Sequence, residues 1–516
     1  MRLSVLKYSV LLIIMMGEVG CKKEEPAPPS PSLPTPQPPP KPMGEDVAAY
    51  FGELGKEKVV PKKNFLKAKP TPQSVLVVVI DTLTARHLSS YGYKRKTSPN
   101  IDRLAKEGIL FNNYVSNSSW TRPSYATILT GLPKSGHNVE LGGGGLALNI
   151  KTVAERFKDA GYRTASFVGN PLMRQIWGFG QGFELYQDTE TYDKAFPFDG
   201  ILTKDAIEWL ESIGEAKHYT TLFLTAPHAP YRPPRKRRYF LKAVPKGHIL
   251  EYPFREYRQP LPKPQHQRIV AAYDDEIAYS DYQVGRLLDY LEKKGRAKDT
   301  TVVVTADHGE ILGEHNCYGH AYHMWEGTLR VPLVIRSTNI DSTNRLDDSP
   351  HTHIDLAPSL LQIAGLPVPA DLPGRSLLRA YDQESERVRL SQYNAHGIRR
   401  QAIRDNQYKI IHYHKINEAV LSKLNSLKTQ LPHADPRDLP SLVASLKGER
   451  YELYDLIADP EETTDVFESM KNKPPIQSLL ETLLTHLNEK ELPVGQMSEE
   501  LIEALKNAGY FVSDEE

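Results

Sequence analysis

The stretch VLVVVID, residues 75–81, is six apolar residues closed by a carboxylate. Nothing in it alternates, so it does not offer one face to water and the other to a core. Such a run reads as a strand buried on both faces of a parallel sheet. In open α/β sheets the ligand crevice lies beyond the carboxyl ends of the strands, which places Asp81 at its edge. RTASFV (163–168), TTLFLT (220–225), TTVVVTADHGE (300–310) and VPLVIR (331–336) are comparable strands.

Helical signals fill the gaps. Ser98 and Pro99 open SPNIDRLAKEG, which Gly108 closes. Thr152 and Glu155 form a capping box for TVAERFKDAG, which Gly161 closes. In DDEIAYSDYQVGRLLDYLEKKG (274–295), Ile277, Val284, Leu287, Leu288 and Leu291 share one helical face. Alternation of strand and helix predicts an α/β fold with a large, mainly parallel sheet flanked by helices.

At 516 residues the chain exceeds what one core usually organises. The pattern changes after about Leu366. GIRRQAIRDNQYKIIHYHK (397–415) and ERYELYDLIADPEE (449–462) read as strands of a small antiparallel sheet. A polar, proline-broken insertion at 416–448 separates them, and LLETLLTHLNEKEL and EELIEALKNAGYF supply terminal helices. The division expected is a catalytic domain at 73–375 and a small C-terminal α+β domain at 376–516. No 20–50-residue repeat is visible, which removes solenoids and propellers.

At the other end, Arg2 and Lys7 flank a short apolar run, Val10 to Met16, too brief to cross a bilayer and suited to a secretory signal over 1–21. Cys21 follows, then a linker to residue 72 in which ten of the seventeen residues from Pro26 to Pro42 are proline. Signal, cysteine and spacer together resemble a bacterial lipoprotein, although Glu18 stands where such signals usually carry an apolar residue. The expectation is an exported protein of the bacterial cell envelope, touching the membrane only through an N-terminal lipid anchor. Cys317 is the one other cysteine, so the mature body has no internal disulfide. Basic and acidic residues number 64 each, so no global field recruits nucleic acid. Neither composition nor pattern sets an oligomeric state.

Four segments bring polar groups to strand ends or helix starts: Asp81, Thr121 in SNSSWTRPSYATILTG, His228 in PHAPY, and Asp307, His308 and His320 in TADHGEILGEHNCYGH. Asp81 and Asp307 each end a buried run, where a lone carboxylate is costly. Singly, each reads as a helix cap. Together with His308 they read as metal ligands, and an Asp, Asp, His set favours zinc or manganese over calcium or magnesium. Thr121, just before Pro123 and a helix closed by Gly131, is either an N-cap or a metal-bound alkoxide nucleophile. His228 and His320 suit binding of a substrate anion or protonation of a leaving group. His315 and His323 read as surface or supporting residues.

These segments, in this order from about residue 73 to about 490, resemble the sulfatases of the alkaline phosphatase superfamily. The resemblance implies a metal-dependent ester hydrolase with a large α/β domain and a small C-terminal one. Asp81 matches the first metal aspartate, Asp307 and His308 the later metal pair, Thr121 the nucleophile, His228 the substrate histidine and His320 the basic residue thirteen places after the metal aspartate. Three positions depart. Thr121 stands where Cys or Ser is oxidised to formylglycine, Tyr125 where an arginine follows, and Thr82 where a second early aspartate sits. Threonine cannot become formylglycine, but it is the nucleophile in phosphate-handling branches of the superfamily.

The resulting expectation is hydrolysis of phosphoric mono- or diesters through Thr121, on a small-molecule, glycan or lipid substrate. Alternatives are sulfuric ester hydrolysis without formylglycine and a catalytically silent binder of sulfated or phosphorylated ligands. A phosphoethanolamine transferase would need membrane spans that the sequence does not show. RPPRKRRYF (232–240) reads as a solvated charged loop, or as a basic rim for an anionic polymer.

Overall fold

Val75 to Ile80 have no exposed surface in the computed structural model. The structure describes residues 65–487 apart from 68–69, 141–144, 190, 192–198, 248–254, 257–259, 341–343, 380–386, 396–397 and 416–447. The signal, most of the linker, the insertion and the helix expected at EELIEALKNAGYF lie outside the described residues.

The apolar run forms the middle of an eight-stranded sheet. Its strands are β1 (Ser74–Ile80), β2 (Ile109–Phe111), β3 (Arg163–Val168), β4 (Leu185–Gln187), β5 (His218–Leu224), β6 (Thr300–Ala306), β7 (Leu333–Arg336) and β8 (Arg345–Asp347). Their spatial order is β8-β2-β7-β6-β1-β5-β3-β4. All run in one direction except β7, which is antiparallel to β2 and β6. VPLVIR is therefore a strand, but shorter than expected and reversed: Pro332 gives no N–H to a ladder, and pairing begins at Leu333. The TADHGE segment leaves the sheet after Ala306, so Asp307 and His308 are in a loop beyond the strand.

Helices cover both faces, as a sheet buried on both sides requires. They include α1 (Pro99–Glu107), α2 (Thr121–Thr130), α3 (Val153–Asp159), α4 (Asp199–Ser212) and α5 (Lys263–Lys293). The Thr152–Glu155 capping box is formed, with Glu155 N donating to Thr152 Oγ1 at 3.1 Å and Thr152 N to Glu155 Oε2 at 2.7 Å. Ile277, Val284, Leu287, Leu288 and Leu291 of α5 are all buried. Helix α2 starts at Thr121 rather than at Pro123, because a proline is tolerated throughout the first helical turn, where its missing N–H has no helical acceptor.

The C-terminal sheet has four antiparallel strands in sequence order: β9 (Arg389–Ala395), β10 (Ile398–Arg404), β11 (Tyr408–Tyr413) and β12 (Arg450–Asp455). The first was not anticipated from sequence. Helix α6 (Pro474–Leu487) begins earlier than its leucine-rich stretch and lays Ile476, Leu479 and Leu483 on Ile403, Ile410 and Leu453. The opposite face, with Tyr393, Ile398, Ala402 and Ile411, packs on Met324, Trp325 and Leu329 of the larger unit. Buried Glu326 ties the two, accepting from Arg404 at 2.6 Å and Lys409 at 3.0 Å. Strand β9 also reaches the chain before α2: Gln392 N donates to Asn117 O at 2.8 Å and Ser391 Oγ to Ser116 O at 2.5 Å.

His218, at the buried start of β5, has its pKa lowered to about 3, chiefly by burial and then by the charges of Arg296 and Lys217. An unfolded histidine titrates near 6.5, so between about pH 6.5 and 3 the unfolded chain binds a proton that the folded chain refuses. Acid therefore destabilises the fold, by about 3 kcal/mol at pH 4 from this one group. His218→Gln is expected to lose less stability than the parent between pH 6.5 and pH 4 in urea titrations; equal losses would remove His218 from the account.

Candidate active site

Strand register assembles the site. Ile80 pairs with Ala306 on one side and with Leu224 on the other, so Asp81, Asp307 and the His228 loop leave the sheet at one level. Asp81 and Asp307 are fully buried, and each spends one oxygen on a fixed donor. Asp81 Oδ2 accepts from Asn170 Nδ2 at 2.7 Å. Asp307 Oδ1 accepts from Thr82 N at 3.1 Å and from His308 N at 2.8 Å. The other oxygens, Asp81 Oδ1 and Asp307 Oδ2, have no hydrogen-bond partner.

His308 points its Nε2 at both, 4.0 Å from Asp81 Oδ1 and 3.4 Å from Asp307 Oδ2. Its Nδ1 lies 3.0 Å from Gly309 O, which assigns the ring proton to Nδ1 and leaves a lone pair on Nε2. Burial pushes both aspartates above the usual carboxylate range; the charge of Asp307 adds to the rise at Asp81, while His308 opposes the rise at Asp307. Two orphaned carboxylate oxygens and an imidazole lone pair, within 4.8 Å of one another, are the donor set of a divalent cation. The residues present fit the group that the sequence implied.

Thr121 Oγ1 stands 3.2 Å from His308 Nε2, almost without exposure. The N-cap of α2 is Trp120, not Thr121, so the threonine hydroxyl is not spent on capping. Thr82, at the place of a second aspartate, contributes its backbone N–H and is held at φ 56, a strained conformation for a β-branched residue. Tyr125 turns the other way, its hydroxyl 3.3 Å from Thr221 Oγ1 inside the sheet and its ring against Phe223. It fills core behind the helix.

His320 bridges to the remaining histidine. Its ring centroid lies 4.6 Å from that of His308 and 5.1 Å from that of His228. His228 places Nδ1 2.6 Å from Ala229 O, and burial lowers its pKa to about 4. His320 Nδ1 is 3.1 Å from Glu310 Oε1, and Tyr231 donates to Glu310 Oε2 at 3.1 Å. Burial pushes Glu310 up and His320 down, which favours a neutral pair in which the carboxylic O–H of Glu310 donates to Nδ1 and the ring proton is on Nε2. The structure thus brings Asp81, Thr121, His228, Asp307, His308 and His320 into one cluster. His315 and His323 are elsewhere, stacked on Trp325 at 3.8 and 4.7 Å.

Four further residues shape the site. Asn170 follows β3, and the signal that identified Asp81, a polar residue just beyond a buried strand, applies to it as well. Glu310 is in the segment already singled out, but its pairing with His320 depends on how the nine residues between them turn back, Ile311–Leu312 pairing with Cys317–Gly319. Asp199 accepts from Thr225 N, Thr225 Oγ1 and Ala226 N at 2.8, 2.9 and 3.1 Å, fixing the chain that leads to His228. Arg122, beside Thr121, is buried under the Trp177 ring at 4.3 Å.

Residues 73–366 match the profile of the sulfatase family, and residues 313–447 match that described as N-sulphoglucosamine sulphohydrolase, C-terminal. The chain is 25% identical over 511 residues to an N-acetylglucosamine-6-O-sulfatase of Bacteroides thetaiotaomicron, covering 79% of this chain and 85% of that protein. Its fold is shared with BT4656 in complex with its substrate D-glucosamine-2-N,6-O-disulfate, at a TM-score of 0.66 and 21% identity over 83% of this chain and all of that one. It is shared also with the phosphonate monoester hydrolase of Agrobacterium radiobacter, at 0.63 and 20%, over 83% and 98%.

Asn170→Ala frees Asp81 to rotate its second oxygen away from His308. The expected result is a 10- to 100-fold weaker hold on zinc or manganese in competition with a chelator, at an unchanged fold by circular dichroism. Unchanged retention would show that Asp81 is oriented by the backbone alone.

Proposed function

Because the chain belongs to the sulfatase family, we propose that it is a metal-dependent ester hydrolase that cleaves phosphoric mono- or diesters with Thr121 as the attacking oxygen. One observation carries this: the buried Thr121 hydroxyl lies 3.2 Å from His308 Nε2, beside the orphaned oxygens of Asp81 and Asp307. Asp81, Asp307 and His308 would hold the cation with Thr121 at its edge, and their mixed oxygen and nitrogen character suits zinc or manganese. When bound, the cation supplies charge neutralisation and a lowered hydroxyl pKa.

The residues of the chain account for the rest. Helix α2 and the Asn117 contact to β9 fix the position of Thr121, so attack needs little reorganisation. Thr121 reacts as its alkoxide, its proton having gone to solvent; as its oxygen bonds to phosphorus and the ester oxygen leaves, His320 Nε2–H gives that oxygen its proton. The Glu310 proton moves to Nδ1 in the same event and keeps the imidazole neutral. His228, with Nδ1–H held by Ala229 O, leaves Nε2 to accept from an O–H of the substrate. Water then cleaves the phosphothreonine, its proton passing to His320 and the Glu310 proton returning.

Threonine supports the phosphoric reading because its secondary carbinol cannot yield the aldehyde hydrate of a formylglycine enzyme. A sulfuric ester is the second reading, supported by the relative named as an N-acetylglucosamine-6-O-sulfatase. The N-terminal signal, cysteine and spacer support export to the cell envelope. No helix among the described residues is long and apolar enough to cross a membrane. The division into 73–375 and 376–516 is retained as part of the proposal.

The test assays the purified protein, with zinc or manganese, on aryl phosphate, bis-aryl phosphate and aryl sulfate. Phosphate esters are expected to turn over best, Thr121→Ala to lose at least about a thousandfold in kcat/KM, and Thr121→Ser to retain most activity. Phosphate turnover surviving in Thr121→Ala would sink the assignment. Preference for aryl sulfate would establish the second reading, and inertness towards all three esters would leave a silent binder.

A further inference from the structure

His320 is followed by a backbone conformation that an alanine ordinarily avoids. Tyr322 N donates to His320 O at 3.1 Å, closing a turn of three residues, and Ala321 at its centre has φ 74. A positive φ inside such a hydrogen bond is the rare, strained form of the γ-turn, because an L-residue then crowds its Cβ against the backbone carbonyl. Gly319, at φ 105, meets no such penalty, having no Cβ. Ala321 has one, buried in the same apolar cluster as Met324 and Trp325.

A strained turn persists only where its surroundings impose it. Here one residue takes both backbone polar groups of Ala321. Ala321 N donates to Ser119 O at 3.0 Å, and Ser119 Oγ donates to Ala321 O at 2.5 Å. Ser119 is fully buried, so the clamp is shielded from water. Ser119 stands two residues before Thr121, and Ala321 one residue after His320. The clamp therefore ties the segment of the attacking oxygen to the segment of the proton donor. Trp120, between Ser119 and Thr121, places its ring centroid 5.3 Å from that of His320. The Glu310 contact sets the tautomer and tilt of the His320 ring, but it does not set where the main chain of His320 stands relative to Thr121.

We propose that Ser119 is a positioning residue for the chemical step: by holding the strained turn at Ala321, it fixes His320 Nε2–H at the ester oxygen that leaves as Thr121 attacks. This role rests on the hydrolase reading of Thr121 and His320, and not on which ester is cut. In that step the Nε2–H bond breaks, the leaving oxygen gains the proton, and the O–H of Glu310 supplies Nδ1. Proton transfer demands that donor and acceptor stay within hydrogen-bond reach, whereas an ester with a stable leaving anion departs without a proton. Loss of the clamp is therefore felt in proportion to the basicity of the leaving group.

The test measures kcat/KM for the full chain with zinc or manganese and for Ser119→Ala, Ala321→Gly and the double variant Ser119→Ala/Ala321→Gly. The substrates are para-nitrophenyl, phenyl and ethyl phosphate, or the corresponding sulfates where those turn over faster. Ser119→Ala is expected to lose roughly tenfold to a hundredfold on the ethyl ester, a part of what general acid catalysis supplies. Its loss on the nitrophenyl ester should stay below about threefold, with zinc retention against a chelator unchanged. Ala321→Gly alone should match the parent. Added to Ser119→Ala, it should recover most of the ethyl-ester loss, because glycine adopts a positive φ without a clamp. An equal loss on every ester, no loss at all, or a double variant no better than Ser119→Ala would overturn the positioning role. Should Ser119→Ala not fold by circular dichroism, Ser119→Cys, which keeps a weaker donor, carries the same comparison. A metal-loaded parent inert towards every ester would remove the hydrolase reading, and the role with it. An active parent that depends on Thr121, but whose Ser119 variants show no leaving-group dependence of the loss, would remove the role alone.

Discussion

Two buried carboxylates, each with one oxygen unpartnered, are the constraint around which this protein is arranged. Taking an ion out of water into a protein interior costs several kcal/mol unless a counter-charge or a full set of donors replaces the solvent. Asn170 and the N–H groups of Thr82 and His308 satisfy half of that demand. The unsatisfied half is directed at one point, together with the lone pair of His308. A cation at that point would offset the least favourable feature of the fold.

The surrounding architecture holds those groups in place. Adjacent parallel strands in matched register deliver Asp81 and Asp307 side by side. The first turn of α2 delivers Thr121 with its hydroxyl on His308 Nε2 rather than on a helix cap. The C-terminal sheet hydrogen-bonds to Ser116 and Asn117 and packs against Met324, Trp325 and Leu329, the two chain segments that flank Thr121 and His320. Glu326, buried between Arg404 and Lys409, couples that sheet to the larger unit through desolvated charges that would be costly unpaired. The smaller unit therefore belongs to the positioning of the site.

Much of this was legible from local pattern. Continuous apolar runs identified the buried strands, capping residues marked α1 and α3, and polar residues at strand ends and helix starts supplied six residues of the cluster. Errors fell where a local signal was outweighed. Pro123 suggested the start of α2, but its first turn tolerates proline. The reversal of β7 depends on its neighbours, since a short apolar run carries no direction. Tyr125, which stands where the resemblance places an arginine, packs its ring on Phe223 in the core.

The sequence by itself determined the class of fold, the buried strands, and the chemistry available at their ends, because periodicity and residue type act over a few neighbouring positions. Only the tertiary structure decided which of those groups meet. Glu310 holds His320 across the nine residues between them, Asn170 reaches Asp81 from beyond another strand, and Asp275 binds the backbone of Tyr239, Phe240 and Leu241. Each of these is a hydrogen bond between groups distant along the chain, whose geometry exists only once the sheet register has closed.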